Sequence, residues 1–128
     1  MTMLRLLCAI PISIALIAQP SLAAERVALL IGNSAYQHTR HLESPIRDIT
    51  GLAKVLKSQG FHVMRAKDLT RRHLSAKLKD FGVRLRRAKV GFFYYAGHAL
   101  HIGKDNYFVP IDAKLVIADN VRRETVPF

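Results

Sequence analysis

Residues 92–113 read FFYYAGHALHIGKDNYFVPIDA. Four aromatics, Phe92, Phe93, Tyr94 and Tyr95, lead through Ala96 and Gly97 to a histidine, His98. With Val90 and Gly91 in front, the run from Val90 to Tyr95 has the length and the β-formers of a buried strand. The spacing predicts a loop over Gly97–Asn106 and a shorter strand over Tyr107–Ile111. His98 therefore follows a strand end by three residues, and this decides how the rest of the chain is read. In sheets built from alternating strands and helices, ligands and catalytic groups gather beyond the carboxyl ends of the strands.

The preceding sequence supplies that alternation. Arg26–Gly32, RVALLIG, is a short apolar run ending in glycine, as in strands covered on both faces. NSAYQHTRHLE is a polar loop leaving it. Ser44-Pro45 signals a helix start, Ser as N-cap and Pro at the first helical position. Ile46, Ile49, Leu52, Ala53 and Leu56 recur at helical spacing, and Gly60 is expected to close the helix. Phe61–Met64 reads as a second strand. Thr70 is expected to cap a second helix, on which Leu74, Leu78, Phe81 and Leu85 share one face. Residues 113–128 show no clear pattern. Strand, helix, strand, helix, strand implies an α/β fold with a mostly parallel sheet and right-handed crossovers. The loop Asn33–Glu43 and the His98 loop would then open onto one crevice.

The first residues have a different character. Arg5 precedes an apolar run from Leu6 to Ala18, followed by Pro20, Ser21 and Ala23. This is the layout of a secretory signal peptide cleaved after Ala23, with Ser21 at −3. The run is shorter than the ~20 residues needed to span a bilayer, so no stable membrane anchor is expected. Residues 24–128 would be the mature domain, exported to a periplasmic or extracellular compartment. Removing residues 1–23 lowers Lys plus Arg from 20 to 19, because only Arg5 lies there, and all nine acids remain, leaving a net charge of +10. The sole cysteine is Cys8. Residues 24–128 thus offer no disulfide, thiolate metal ligand or thiol nucleophile.

On chemistry alone His98 is open to three readings: general base, metal ligand or structural histidine. A zinc site needs three or four convergent ligands, and only His101, His38 and His41 are near in sequence or in the facing loop. No metal or other cofactor is expected. Ser34 follows the first strand, but NSA lacks the glycine-framed turn of a serine nucleophile.

At these residues the chain resembles the caspase superfamily, above all its bacterial caspase-like, metacaspase and paracaspase branches. RVALLIGNSAY is similar to the opening strand and loop of that family, PIRDITGLAKVLKSQGFHV to its first helix and second strand, and DLTRRHLSAKLKDF to the next helix. GFFYYAGHALHIGKDNYFVPIDA is similar to the strand and loop bearing the catalytic histidine. The match spans residues 26–113. It implies an α/β/α sandwich and a cysteine endopeptidase that hydrolyses peptide bonds with a Cys-His dyad. His98 would be its general base. Gly97 and Ala99 would form the oxyanion-hole loop, with Ala99 standing where the family usually has glycine. Asp48 matches an acid that helps metacaspases and paracaspases accept Arg or Lys at the cleavage point; an acid in a first helical turn equally suits the helix dipole.

The family's cysteine lies tens of residues after the histidine, often as Asp-x-Cys at the end of the next strand. This sequence stops 30 residues after His98, and NVRRETVPF resembles the approach to the next helix. The expectation is therefore a partial domain, incomplete at its C-terminus, with the histidine but not the nucleophile, and inactive by itself. The alternatives are a pseudo-caspase serving as a binding or regulatory module, and a basic polyanion-binding protein. Against the last, the Arg and Lys residues from Arg71 to Lys89 suit a solvated helix face, and an exported chain meets no nucleic acid. The expected partner is a protein or peptide substrate.

Overall fold

Val27, Ala28, Leu29, Leu30 and Ile31 are each 0% exposed, a run covered on both faces. They form β1 (Arg26–Gly32), the middle strand of a parallel sheet in the order β2-β1-β3, where β2 is Phe61–Lys67 and β3 is Val90–Ala96. The computed structural model describes residues 25–115 and 120–128. The export signal read in residues 1–23 lies outside them. No helix among the described residues is long and apolar enough to cross a membrane.

Side-chain alternation along β1 divides the core. Val27, Leu29 and Ile31 pack with Leu74 and Phe81 of α2 (Arg71–Leu85). Ala28 and Leu30 pack with Ile49, Ala53 and Leu56 of α1 (Pro45–Ser58) on the opposite face. The steps β1 to β2 and β2 to β3 cross the sheet in opposite directions. Right-handed crossovers then place the two helices on opposite faces. The result is the expected α/β/α sandwich.

The Thr70 side chain caps α2 by accepting from the His73 N–H, as expected. The Asp112 carboxylate, from a distant loop, accepts from the N–H of Arg71 at 2.8 Å. Ser44 occupies the N-cap of α1 but makes no side-chain cap bond, because its backbone is already helical (φ −88°, ψ −29°) rather than extended. Gln59 is the C-cap, and Gly60 follows it with φ 78°. β2 runs three residues beyond the expected Met64, with Lys67 opposite Gly32 of β1. Arg65 and Lys67 hide this extension from a hydrophobicity reading.

The expected loop over Gly97–Asn106 is a β-hairpin. β4 (Ala99–Ile102) pairs antiparallel with β5 (Asp105–Phe108) across the turn Gly103-Lys104. The fourth strand therefore starts at Asp105 rather than Tyr107, ends before Val109, and belongs to a second sheet, β4-β5-β6. Residues 121–128 are also structured. One turn of helix, α3 (Val121–Glu124), leads to β6 (Val126–Pro127) paired with β5. The aromatics of β3 are only half-buried, Phe93 being 39% exposed, because β3 is the outer strand among those described.

β1 makes the core depend on its residues more than on the helix surfaces. Leu29→Ala is expected to destabilise the fold by about 2–5 kcal/mol. Val55→Ala, on the exposed side of α1, should change stability by under about 0.5 kcal/mol. Chemical denaturation of the two variants checks the difference.

Candidate active site

The carboxyl ends of β1 and β3 are tied together first by backbone. The N–H of Asn33 donates to the carbonyl of Ala96 at 2.8 Å. Asn33 is fully buried, and its amide uses both ends. Its Oδ1 accepts from the Leu69 N–H at 2.9 Å, and its Nδ2 donates to the Tyr95 hydroxyl and the Val109 carbonyl, each at 3.4 Å. The next turn of the loop rests on Asp68. Its Oδ1 accepts from the N–H groups of Ser34 and Ala35 at 2.8 and 2.9 Å. The Asp68 backbone adopts φ 50°, a left-handed conformation that Asp tolerates better than most residues.

Two tyrosines complete the support. The Tyr95 hydroxyl donates to the carbonyls of Val109 (2.8 Å) and His98 (3.1 Å). With its single hydrogen so engaged, Tyr95 accepts from the Tyr36 hydroxyl, 3.3 Å away. Tyr36 in turn accepts from the backbone N–H of His98 at 2.7 Å. Gly97 passes directly over this pair. A Cβ there would stand 2.6 Å from the Tyr36 hydroxyl and 2.7 Å from that of Tyr95. Glycine is required by this close approach.

The His98 ring leans on Tyr36, with ring centroids 4.5 Å apart. Its Nε2 lies 2.8 Å from the backbone carbonyl of Arg40. A carbonyl can only accept, so Nε2 carries the hydrogen and the neutral ring has its lone pair on Nδ1. Nδ1 has no hydrogen-bond partner among the described residues. The ring is thus oriented by one nitrogen and left basic at the other, as a general base requires.

Ala99 opens β4. Val109 N–H donates to the His98 carbonyl at 3.0 Å, so His98 and Val109 form a hydrogen-bonded rung. Antiparallel alternation then turns the Ala99 N–H away from β5. Asp68 is the sole non-glycine residue with positive φ among those described, so the Ala99 backbone is one that any residue adopts. An alanine at this position costs the backbone nothing.

Beside Gly97 lies an open crevice of about 570 Å³, lined in part by Arg40, His41, Glu43, Arg47, Ala96 and Gly97. It is the common mouth expected of the loops after β1 and β3. Its one lining carboxylate among the described residues is Glu43. Asp48 is half-buried in the first turn of α1 and is not part of the lining. Of the expected site residues only Gly97 lines the crevice; His98 and Ala99 follow it in the chain, and neither they nor Asp48 belong to the wall. Ser34 Oγ is buried without a hydrogen-bond partner among the described residues, so it lacks the base a serine nucleophile needs. His101 bonds Asn106 across the hairpin at 2.7 Å. Among the described residues no group of three His, Cys, Asp or Glu could hold a metal ion.

Asn33, Tyr36, Tyr95 and the Arg40 carbonyl escape sequence reasoning. The only local signal is a polar residue directly after the buried strand. Most of their contacts join residues 36 to 76 positions apart.

Burial raises the hydroxyl pKa of both Tyr36 and Tyr95 above the ordinary 10.0. Above that pH the unfolded chain loses tyrosine protons that the folded chain still holds, so stability falls as pH rises past about 10. Tyr36→Phe should cost about 1–3 kcal/mol by leaving the His98 N–H without its acceptor. It should also make the alkaline fall shallower. Thermal unfolding of both proteins between neutral and strongly alkaline pH measures the two effects.

Residues 25–126 match the caspase domain family. Over 92 residues the chain is 35% identical to human mucosa-associated lymphoid tissue lymphoma translocation protein 1. The mouse homologue of that protein matches to the same extent. These alignments cover 72% of this chain and 11% of each relative, so the chain spans about a ninth of the length of the curated relatives it matches.

Proposed function

Because the chain belongs to the caspase domain family, a family of peptidases acting on proteins, we propose that residues 24–128 are the histidine-bearing part of a cysteine endopeptidase. The observation that carries this reading is the orientation of His98, with Nε2 held by the Arg40 carbonyl and Nδ1 unengaged. In the proposed reaction Nδ1 takes the proton of a cysteine thiol. The thiolate attacks the scissile carbonyl, and the imidazolium returns the proton to the leaving amine. The Ala99 N–H stabilises the oxyanion formed in between.

The thiol must come from outside residues 24–128, which contain no cysteine. By themselves these residues carry out no acyl transfer. Substrates are proteins or peptides cleaved after Arg or Lys, the side chain being received at the crevice beside Gly97. Glu43 supplies a carboxylate on its wall, and Asp48 adds negative charge one turn into α1. Residues 1–23 act as an export signal, which places the enzyme in the periplasm or outside the cell.

Expression of the reading frame together with the DNA that follows codon 128 tests the proposal. The extended product should carry a cysteine after the next strand and cleave Arg- or Lys-containing reporter peptides. His98→Ala should lower its kcat by about 10²–10⁴-fold. The 128-residue chain should show no turnover. An extended product without a cysteine, or one whose rate survives His98→Ala, overturns the reading.

A further inference from the structure

β2 is paired only with β1 among the described strands, so its outer edge presents unpaired backbone N–H and C=O groups. Along that edge runs a groove between β2 and α1, in two sections of about 250 and 470 Å³ that share Thr50 and Arg65. On the helix side, Thr50, Lys54 and Lys57 follow one another at steps of four and three residues, which is one stripe of α1. On the strand side, Phe61, Val63, Arg65 and Lys67 point to the same face. Phe61 and Val63 pack into the α1-side core, whereas Arg65 and Lys67 continue the row as cations. Arg65 is held across the groove by its hydrogen bond to the Thr50 hydroxyl at 3.2 Å.

Four cations from two elements thus converge on one concavity, and no carboxylate among the described residues lines it. None of the four is in an ion pair; Arg84–Asp80 is the only such pair among the described residues. The cations at the end of α2, Arg84, Arg86 and Arg87, line a concavity of about 370 Å³ that also holds the Glu25 carboxylate. Lysines at a strand edge also discourage self-pairing between copies. That role alone calls for neither a groove nor the tie between Arg65 and Thr50.

We propose that this groove binds an extended acidic segment of a partner protein. The segment adds to the outer edge of β2 through its backbone, and its alternate side chains point toward α1. Glutamate or aspartate at every second position meets Lys54, Lys57, Arg65 and Lys67 in charge-assisted hydrogen bonds. The inference stands apart from the catalytic reading, since no group of the His98 site takes part.

Fluorescence anisotropy with a labelled Glu-Val-Glu-Val-Glu-Val peptide tests it, using the purified chain at about 50 mM salt, where screening is weak. Saturable binding is expected. Lys54→Glu/Lys57→Glu should weaken it at least about tenfold, and the milder Arg65→Gln should weaken it several-fold. N-methylation of alternate peptide amides should weaken it by about tenfold as well, because edge pairing is blocked. Arg72→Glu/Lys79→Glu on α2 should stay within about twofold of the parent. Circular dichroism confirms that each variant is folded. Equal losses from the α2 and groove variants would mean diffuse attraction by a basic protein. Unchanged binding of the N-methylated peptide, or heparin displacing it at equal charge regardless of backbone, would mean a polyanion site. Absence of saturable binding would leave edge protection only. Each of these three results overturns the proposal.

Discussion

The fully buried amide of Asn33 is the tie on which the functional end of the molecule depends. One small side chain satisfies a donor from the β2–α2 connection and reaches both the Tyr95 hydroxyl and the Val109 carbonyl. Its own backbone N–H closes onto the end of β3. Four stretches of chain are thereby tied to one another by hydrogen bonds, in addition to the apolar packing of Tyr36, Leu69, Tyr95 and Val109. A buried polar network of this kind is costly when half-satisfied and rigidifying when complete. Here the chain from the His98 N–H through Tyr36 and Tyr95 to the Val109 carbonyl gives every hydroxyl a partner. The functional consequence is that the loop after β1 cannot drift from the loop after β3. The Arg40 carbonyl therefore meets the imidazole at hydrogen-bond distance, although 58 residues separate the two.

The same knot explains the sequence around the histidine. Gly97 is small because two phenol hydroxyls fill the space above it. Ala99 is acceptable because the hairpin has already begun there in extended backbone. The two positions flanking His98 are thus under different constraints, one steric and one only conformational.

The layers of the fold were legible because β1 is covered on both faces and so appears as an unbroken apolar run, and because both helices carry a clear apolar stripe. His98 was legible as a candidate from its place after a strand. The hairpin β4–β5 was not, since ALHI and DNYF are only four residues each and exposed over much of their length. The last residues were not either. Val126 and Phe128 derive their order from β5, Phe128 stacking on Phe108 with centroids 3.9 Å apart, a tertiary effect with no local pattern. The length of β2 was masked because its last core-side positions hold Arg65 and Lys67, the cations that line the groove along its edge. Propensity fails there because the residues are placed for charge rather than for burial.

The Arg40 carbonyl holds the His98 ring with its hydrogen on Nε2 and its lone pair on Nδ1. Nitrogen-15 NMR of the histidine side chains at neutral to mildly alkaline pH tests it most directly. A single Nε2–H tautomer is expected for His98, with its Nε2 proton coupled across a hydrogen bond to the Arg40 carbonyl. A His98 ring that is mainly Nδ1–H, or that averages freely between tautomers as in an unstructured peptide, would contradict it.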